Sequence, residues 1–171
     1  YIVESFPTKH RIPTCGFVIS EKERGYSLKP NVRKKYSLTH LEIQILKRGE
    51  DVDRGEEVIK NSSCCSPPAE TRSYAFAADS AYSPKVVEAV KGCSLLYHEA
   101  TFESKDADIA KKTQHSTSKD AARVAIQANV GQLLLGHYSN RYRDLSTLLS
   151  ESQDVFKNSY LSVEGKTYSI E

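Results

Sequence analysis

Three short apolar runs, 74–78, 94–97 and 132–136, each stop at an ionisable residue: Asp79, then His98 with Glu99, then His137. Each run reads as a buried strand ending in a polar group. The stretches between them carry helical spacing, so strand and helix alternate. That pattern predicts an α/β domain whose functional groups collect at one edge of a sheet. A carboxylate and imidazoles delivered together to such an edge are what a metal-dependent hydrolase needs.

The bulk numbers narrow the field. A chain of 171 residues is long enough for one domain with a sizeable core and too short for two full ones. With 24 Lys and Arg against 22 Asp and Glu, the net charge is only +2. That excludes a histone-like coat of positive charge and confines any nucleic-acid contact to a local patch. Cys15, Cys64, Cys65 and Cys93 have neither the density nor the spacing of a disulfide scaffold or a zinc ribbon, so reduced thiols are expected. No apolar run approaches membrane-spanning length and the first residues lack the form of a signal peptide, which predicts a soluble, cytoplasmic protein with no membrane partner. The chain starts without Met, already in strand-like alternation, as if cut from something longer.

In chain order, residues 1–6 alternate as a strand that Pro7 ends, and 16–19 form the next. The turn between them, HRIPTCGF, holds His10, a plausible ligand, although a lone turn histidine is more often solvated. Residues 21–60 are highly charged with helical spacing and read as an excursion outside the core. Arg33, Lys34, Lys35, Lys47 and Arg48 within it could meet phosphates, but interleaved acids favour a solvated helical face. Residues 61–71 read as loop, and the vicinal Cys64 and Cys65 are given no chemistry. Asp79 could cap the next helix, but Ser83 and Pro84 supply a competing start signal. The helix 85–90 ends near Gly92, a left-handed cap. A buried His98 beside Glu99 could be a satisfied hydrogen-bonded pair. Thr117 with Asp120 forms a capping-box pattern before the helix 121–128, which sets His115 beside a helix N-terminus that favours an anion such as phosphate. Residues 145–156 read as an amphipathic helix, and 160–163 with 166–170 as a terminal hairpin.

Taken together, HRIPTCGF at His10, AADS at Asp79, LLYHEATF at His98, QHSTSKDAA at His115 and LLLGHYSNRY at His137 resemble the ribonuclease Z family of the metallo-β-lactamase superfamily. Their order and separations agree, and the likeness extends over nearly all of residues 1–171. The resemblance implies an αβ/βα sandwich, here its C-terminal portion plus a protruding arm at 21–60, and two zinc ions at the sheet edge. It implies that His10 binds one zinc, Asp79 bridges both and His137 binds the other. His115 would lie by the scissile phosphate, with His98 and Glu99 as a polar pair orienting a catalytic imidazole. The implied substrate is precursor tRNA, cut by a homodimer that removes the 3′ trailer, with the basic residues of the arm contacting tRNA.

Two departures stand against that pattern. The family's HxHxDH motif, source of the remaining zinc ligands and the general base, is absent, and so is the Gly-Pro-rich tip of the arm. The 171 residues alone are therefore expected to bind zinc weakly and to leave precursor tRNA uncut. Two other readings remain: a general metallo-phosphodiesterase of the same fold, and a non-catalytic scaffold or dimerising piece.

Overall fold

The computed structural model describes residues 1–170, and its chain divides into two compact units, Lys22–Thr71 and the remainder. In chain order the elements begin with β1 (Ile2–Pro7), β2 (Cys15–Ser20), β3 (Ser27–Leu28), α1 (Val32–Lys35), α2 (His40–Lys47), β4 (Val52–Asp53) and β5 (Val58–Ile59). Then come α3 (Asn61–Cys64), β6 (Cys65–Ser66), β7 (Ser73–Ala77), α4 (Pro84–Ala89) and β8 (Leu95–Glu99). After a 3₁₀ turn at Ser104–Asp106 the chain continues through α5 (Ala107–Thr113), α6 (Ser118–Gln127), β9 (Gln132–Gly136), α7 (Ser146–Gln153) and β10 (Ser159–Leu161).

The larger unit is built on one sheet of order β1-β2-β7-β8-β9-β10. From β7 to β10 the strands run parallel, while β1 and β2 are antiparallel to their neighbours. Polarity therefore decides where the chain's polar residues go. The carboxyl ends of β7, β8 and β9 lie at one edge, and because β2 opposes β7, the turn that precedes β2 comes to the same edge.

Alternation along the strands sorts the side chains. Ala75, Ala77, Leu96, Leu133 and Leu135 form a core with Val86 and Val90 and with Ala121, Ala122, Val124 and Ala125 of α6. Leu96, Leu133 and Leu135 are fully buried, each contributing roughly 1.5–3 kcal/mol. The small residues of α6 let that helix approach closely, and its start is held by a capping box between Thr117 and Asp120. On the opposite face Phe17, Phe76, Tyr97 and Leu134 lie in register across four strands, and the rings of Phe76 and Tyr97 stack at 4.9 Å.

Two expectations need correction. The terminal hairpin does not form: Ser159–Leu161 pairs in parallel with β9, and the chain beyond it is held by Tyr168, whose hydroxyl donates to the Leu161 carbonyl at 2.8 Å. A strand with β9 as its neighbour satisfies its ladder there, and Tyr168 replaces the second strand. The segment 61–71 is not all loop, since α3 and β6 lie within it and belong to the smaller unit. Cys64 and Cys65 are core residues of that unit, buried with Val32, Leu38, Leu46, Val52 and Ile59, so the unit runs to Thr71 rather than stopping at residue 60. Burial pushes both thiols above their usual pKa, which suits an inert packing role. Among the described residues no helix is long and apolar enough to cross a membrane.

Candidate metal centre

At the carboxyl edge of the sheet, ligand atoms of Asp79, Glu99, His115 and His137 all lie within 4.8 Å of one another. Each arrives by a different route. Asp79 and His137 follow the ends of β7 and β9 in left-handed turns, with φ of 49° and 57°. Glu99 is the last residue of β8, and His115 follows α5, whose cap Gln114 is also left-handed at φ 58°. Three non-glycine residues in that region around one small volume mark a site whose geometry is held by its surroundings.

Glu99 is the buried base of the group. Its carboxylate accepts from the Ser80 amide, from the Ser116 amide at 2.9 Å, from the Thr101 hydroxyl at 2.7 Å and from His115 Nδ1 at 2.9 and 3.0 Å. These donors occupy both oxygens, which leaves Glu99 a positioning role rather than a ligand's. With Nδ1–H committed to the carboxylate, His115 turns its Nε2 outward, and its side chain is 16% exposed.

Thr101 links Glu99 to His137. Its single hydroxyl proton has two oxygen acceptors, Glu99 Oε2 at 2.7 Å and the His137 carbonyl at 2.9 Å, so towards His137 Nδ1 at 2.9 Å the same oxygen is left to accept. The hydrogen-bond network thus assigns His137 the tautomer with Nε2 unprotonated. That lone pair faces Asp79 Oδ1 at 3.2 Å. Two acceptors at that distance repel unless a cation or a proton lies between them. Nitrogen and carboxylate oxygen are the donor set that zinc takes, so the residues fit the metal.

His10 stands next to this group rather than within it. Its ring centroid is 4.9 Å from that of His115, and its Nδ1 bonds to the Gln114 carbonyl at 3.1 Å, which leaves Nε2 free. The turn carrying it is tied to the Asp79 turn: Thr8 and Thr14 donate to the Asp79 carbonyl and the Ala81 amide donates to the Lys9 carbonyl.

His98 is not brought to the centre. Strand alternation sends His98 and Glu99 to opposite faces of β8, so His98 is fully buried on the side of Leu96. Its Nδ1–H donates to the Glu99 carbonyl at 2.8 Å and its Nε2 has no partner. Burial lowers its pKa and keeps it neutral. The imidazole that Glu99 orients is that of His115, 16 residues away in sequence. Thr101 was the residue missed, and its one signal was position, two residues past Glu99 on the same motif.

In the smaller unit the five basic residues of interest are all exposed. Arg33, Lys34 and Lys35 make up most of α1, Lys47 ends α2, and Arg48 pairs with Glu50 at 2.9 Å.

No family model matches the chain. It is 39% identical over 170 residues to ribonuclease Z of Phocaeicola vulgatus, covering 99% of this chain and 55% of that protein. To ribonuclease Z of Porphyromonas gingivalis it is 40% identical over 156 residues, 91% of this chain and 51% of the relative. The chain thus spans about half the length of the curated relatives it matches. Among solved structures it is similar to the short form of human tRNase Z, with a TM-score of 0.54 and 20% identity over 99% of this chain and 43% of that one. It is also similar to the metallo-β-lactamase fold protein YhfI of Bacillus subtilis, with a TM-score of 0.58 and 16% identity over 93% of this chain and 45% of the other. At these identities the likeness shows the fold, which is that of the metallo-β-lactamases.

Proposed function

Since the chain belongs to the ribonuclease Z family and spans about half the length of its relatives, we propose that it carries part of the site of a zinc-dependent endoribonuclease that removes the 3′ trailer from precursor tRNA. The observation that carries this reading is the convergence of Asp79, Glu99, His115 and His137 at one sheet edge. Asp79, His137 and the adjacent His10 hold two zinc ions together with ligands from outside these residues. Bound there, zinc supplies a water ionised near neutral pH and offsets the charge of the phosphodiester.

The chain's own side chains do the rest. Glu99 holds Nδ1–H and fixes the aim of His115, and the imidazolium form of His115, stabilised by that carboxylate, gives its Nε2 proton to the departing 3′ oxygen and is left as the neutral imidazole. Thr101 keeps the His137 Nε2 lone pair turned to Asp79. Arg33, Lys34, Lys35, Lys47 and Arg48 meet tRNA phosphates, each neutralised charge releasing counterions.

The test has two arms. Zinc uptake by this chain, followed by mass spectrometry under native conditions, should fall in Asp79→Asn and in His137→Ala. In the full-length parent, the same substitutions should abolish cleavage of precursor tRNA while a small chromogenic phosphodiester reports whether the chemistry is general. Unchanged zinc uptake in both variants overturns the ligand assignment. Equal loss of both substrates on removing the five arm cations counts against tRNA as the substrate, because only the cleavage of tRNA should depend on them.

A further inference from the structure

Beside the metal centre lies a cleft of about 540 Å³, lined by Thr8, Lys9, His10, Ser83 and Lys85 together with two prolines. That volume falls within the ~300–1,000 Å³ of small-molecule sites. His10 is the shared wall, since its ring also approaches that of His115. The cleft therefore adjoins, through His10, the group that holds the reacting phosphate in the function proposed above.

Its chemistry is cationic. Lys9 and Lys85 are both exposed, and neither has a carboxylate partner among the described residues. Ser83 adds a hydroxyl that caps no amide, although the residue stands at the start of α4 and is buried. The metal centre itself contributes two carboxylates, Asp79 and Glu99, which repel a polyanion. Two ammonium groups lining the adjoining cleft offset that repulsion.

We infer that this cleft receives the nucleotide next to the scissile bond, with Lys9 and Lys85 holding its phosphate and Ser83 donating a further hydrogen bond. The inference rests on the nuclease reading for the identity of the ligand as RNA. A single strand seated at His115 carries one charge per nucleotide, and the wall formed by His10 leads its next phosphate to Lys9 and Lys85.

The test measures binding without cleavage. A fluorescein-labelled single-stranded RNA 8-mer is titrated with this chain in chelator across a series of salt concentrations. Each phosphate contact on single strands contributes about 0.7 to the slope of log K against log salt, so Lys9→Ala/Lys85→Ala, which removes the one contact that the two lysines share, should flatten the slope by about 0.7. Lys9→Arg/Lys85→Arg should retain it. Lys91→Ala, which removes an exposed lysine of the same region outside the cleft, should leave it unchanged. Bound RNA should also protect Lys9 and Lys85, and not Lys91, from acetylation read by mass spectrometry. The inference is overturned if the double variant keeps the wild-type slope, if Lys91→Ala flattens it equally, or if the chain does not bind the 8-mer. Failure of the nuclease reading would register separately, as undiminished zinc uptake in Asp79→Asn and His137→Ala.

Discussion

Asp79 Oδ1 and His137 Nε2 face each other at 3.2 Å, and each residue holds its backbone in the left-handed region, at φ 49° and 57°. Neither is glycine, so the fold bears a cost at both positions to aim the two side chains at one point. β7 and β9 flank β8 in the sheet, and Thr101, just beyond β8, receives the Nδ1–H of His137. The ends of three strands thus build one donor pair.

That cost is measurable. In chelator, Asp79→Gly should be more stable than Asp79→Ala by about 1 kcal/mol, because glycine adopts φ near 50° without a Cβ clash and alanine does not. Both variants should lose zinc uptake alike. Urea unfolding of the pair isolates the backbone contribution, and equal midpoints would remove strain from the account of this site.

Glu99 predicts a larger effect. Its carboxylate receives donors from Ser80, Thr101, His115 and Ser116 in a fully buried position. Glu99→Gln presents an amide NH₂ to N–H and O–H groups, and should lower stability by about 3 kcal/mol. Thr101→Val removes one of the Glu99 donors together with the link to His137, leaves the other donors in place, and should lower stability by about 1.5 kcal/mol while weakening zinc uptake. Denaturant midpoints for the two variants check the ranking, and a smaller loss for Glu99→Gln than for Thr101→Val would contradict it.

These contacts explain which parts of the site can be read from sequence. Apolar runs ending in ionisable residues identify Asp79, Glu99 and His137, because strand polarity in a parallel sheet sends all such ends to one edge. The same rule cannot separate His98 from Glu99, which are adjacent in sequence and lie on opposite faces. The role of Thr101 depends on a hydroxyl reaching two side chains at once, and no periodicity encodes that. In the smaller unit the sequence shows the change of character at its start, while its end is hidden because Cys64 and Cys65 look like loop residues until their burial with Leu46 is seen. The hairpin expected near the C-terminus fails for a similar reason, since Tyr168 secures the chain by its side chain where a ladder was anticipated.

The smaller unit should respond to acid through one residue. Arg54 holds both oxygens of Glu42, at 2.7 and 3.0 Å, while the Thr39 amide and hydroxyl donate to the same carboxylate at the start of α2. Chiefly through the Arg54 hydrogen bonds, the carboxyl is lowered from the usual 4.5 to about 2. A group that titrates lower when folded stabilises fully above its unfolded value and loses that contribution as pH falls through the folded one. The contribution of Glu42 should therefore be intact above about pH 4.5 and decline towards pH 2. Followed by the amide resonance of Thr39, Glu42→Gln should show no such decline over that window, and a decline matching wild type would assign the effect to another group.

Gly136 offers the sharpest test of how the sheet positions the centre. It pairs with Glu99 in the ladder and immediately precedes His137, and a Cβ at this position would fall within the ring of Tyr97. Tyr97 is in turn stacked on Phe76, so it cannot move aside without giving up that contact. Gly136→Ala should therefore displace the end of β9, at a cost of about 1–3 kcal/mol, and weaken zinc uptake by moving His137 away from Asp79. Tyr97→Leu alone loses the stacking and leaves the centre in place. Combined, the two substitutions should cost less than the sum of the singles by more than about 0.5 kcal/mol, since leucine vacates the volume that the new methyl needs. Zinc uptake should recover in the double variant, and strict additivity in both stability and zinc uptake would mean that the space beneath Gly136 does not set the position of His137.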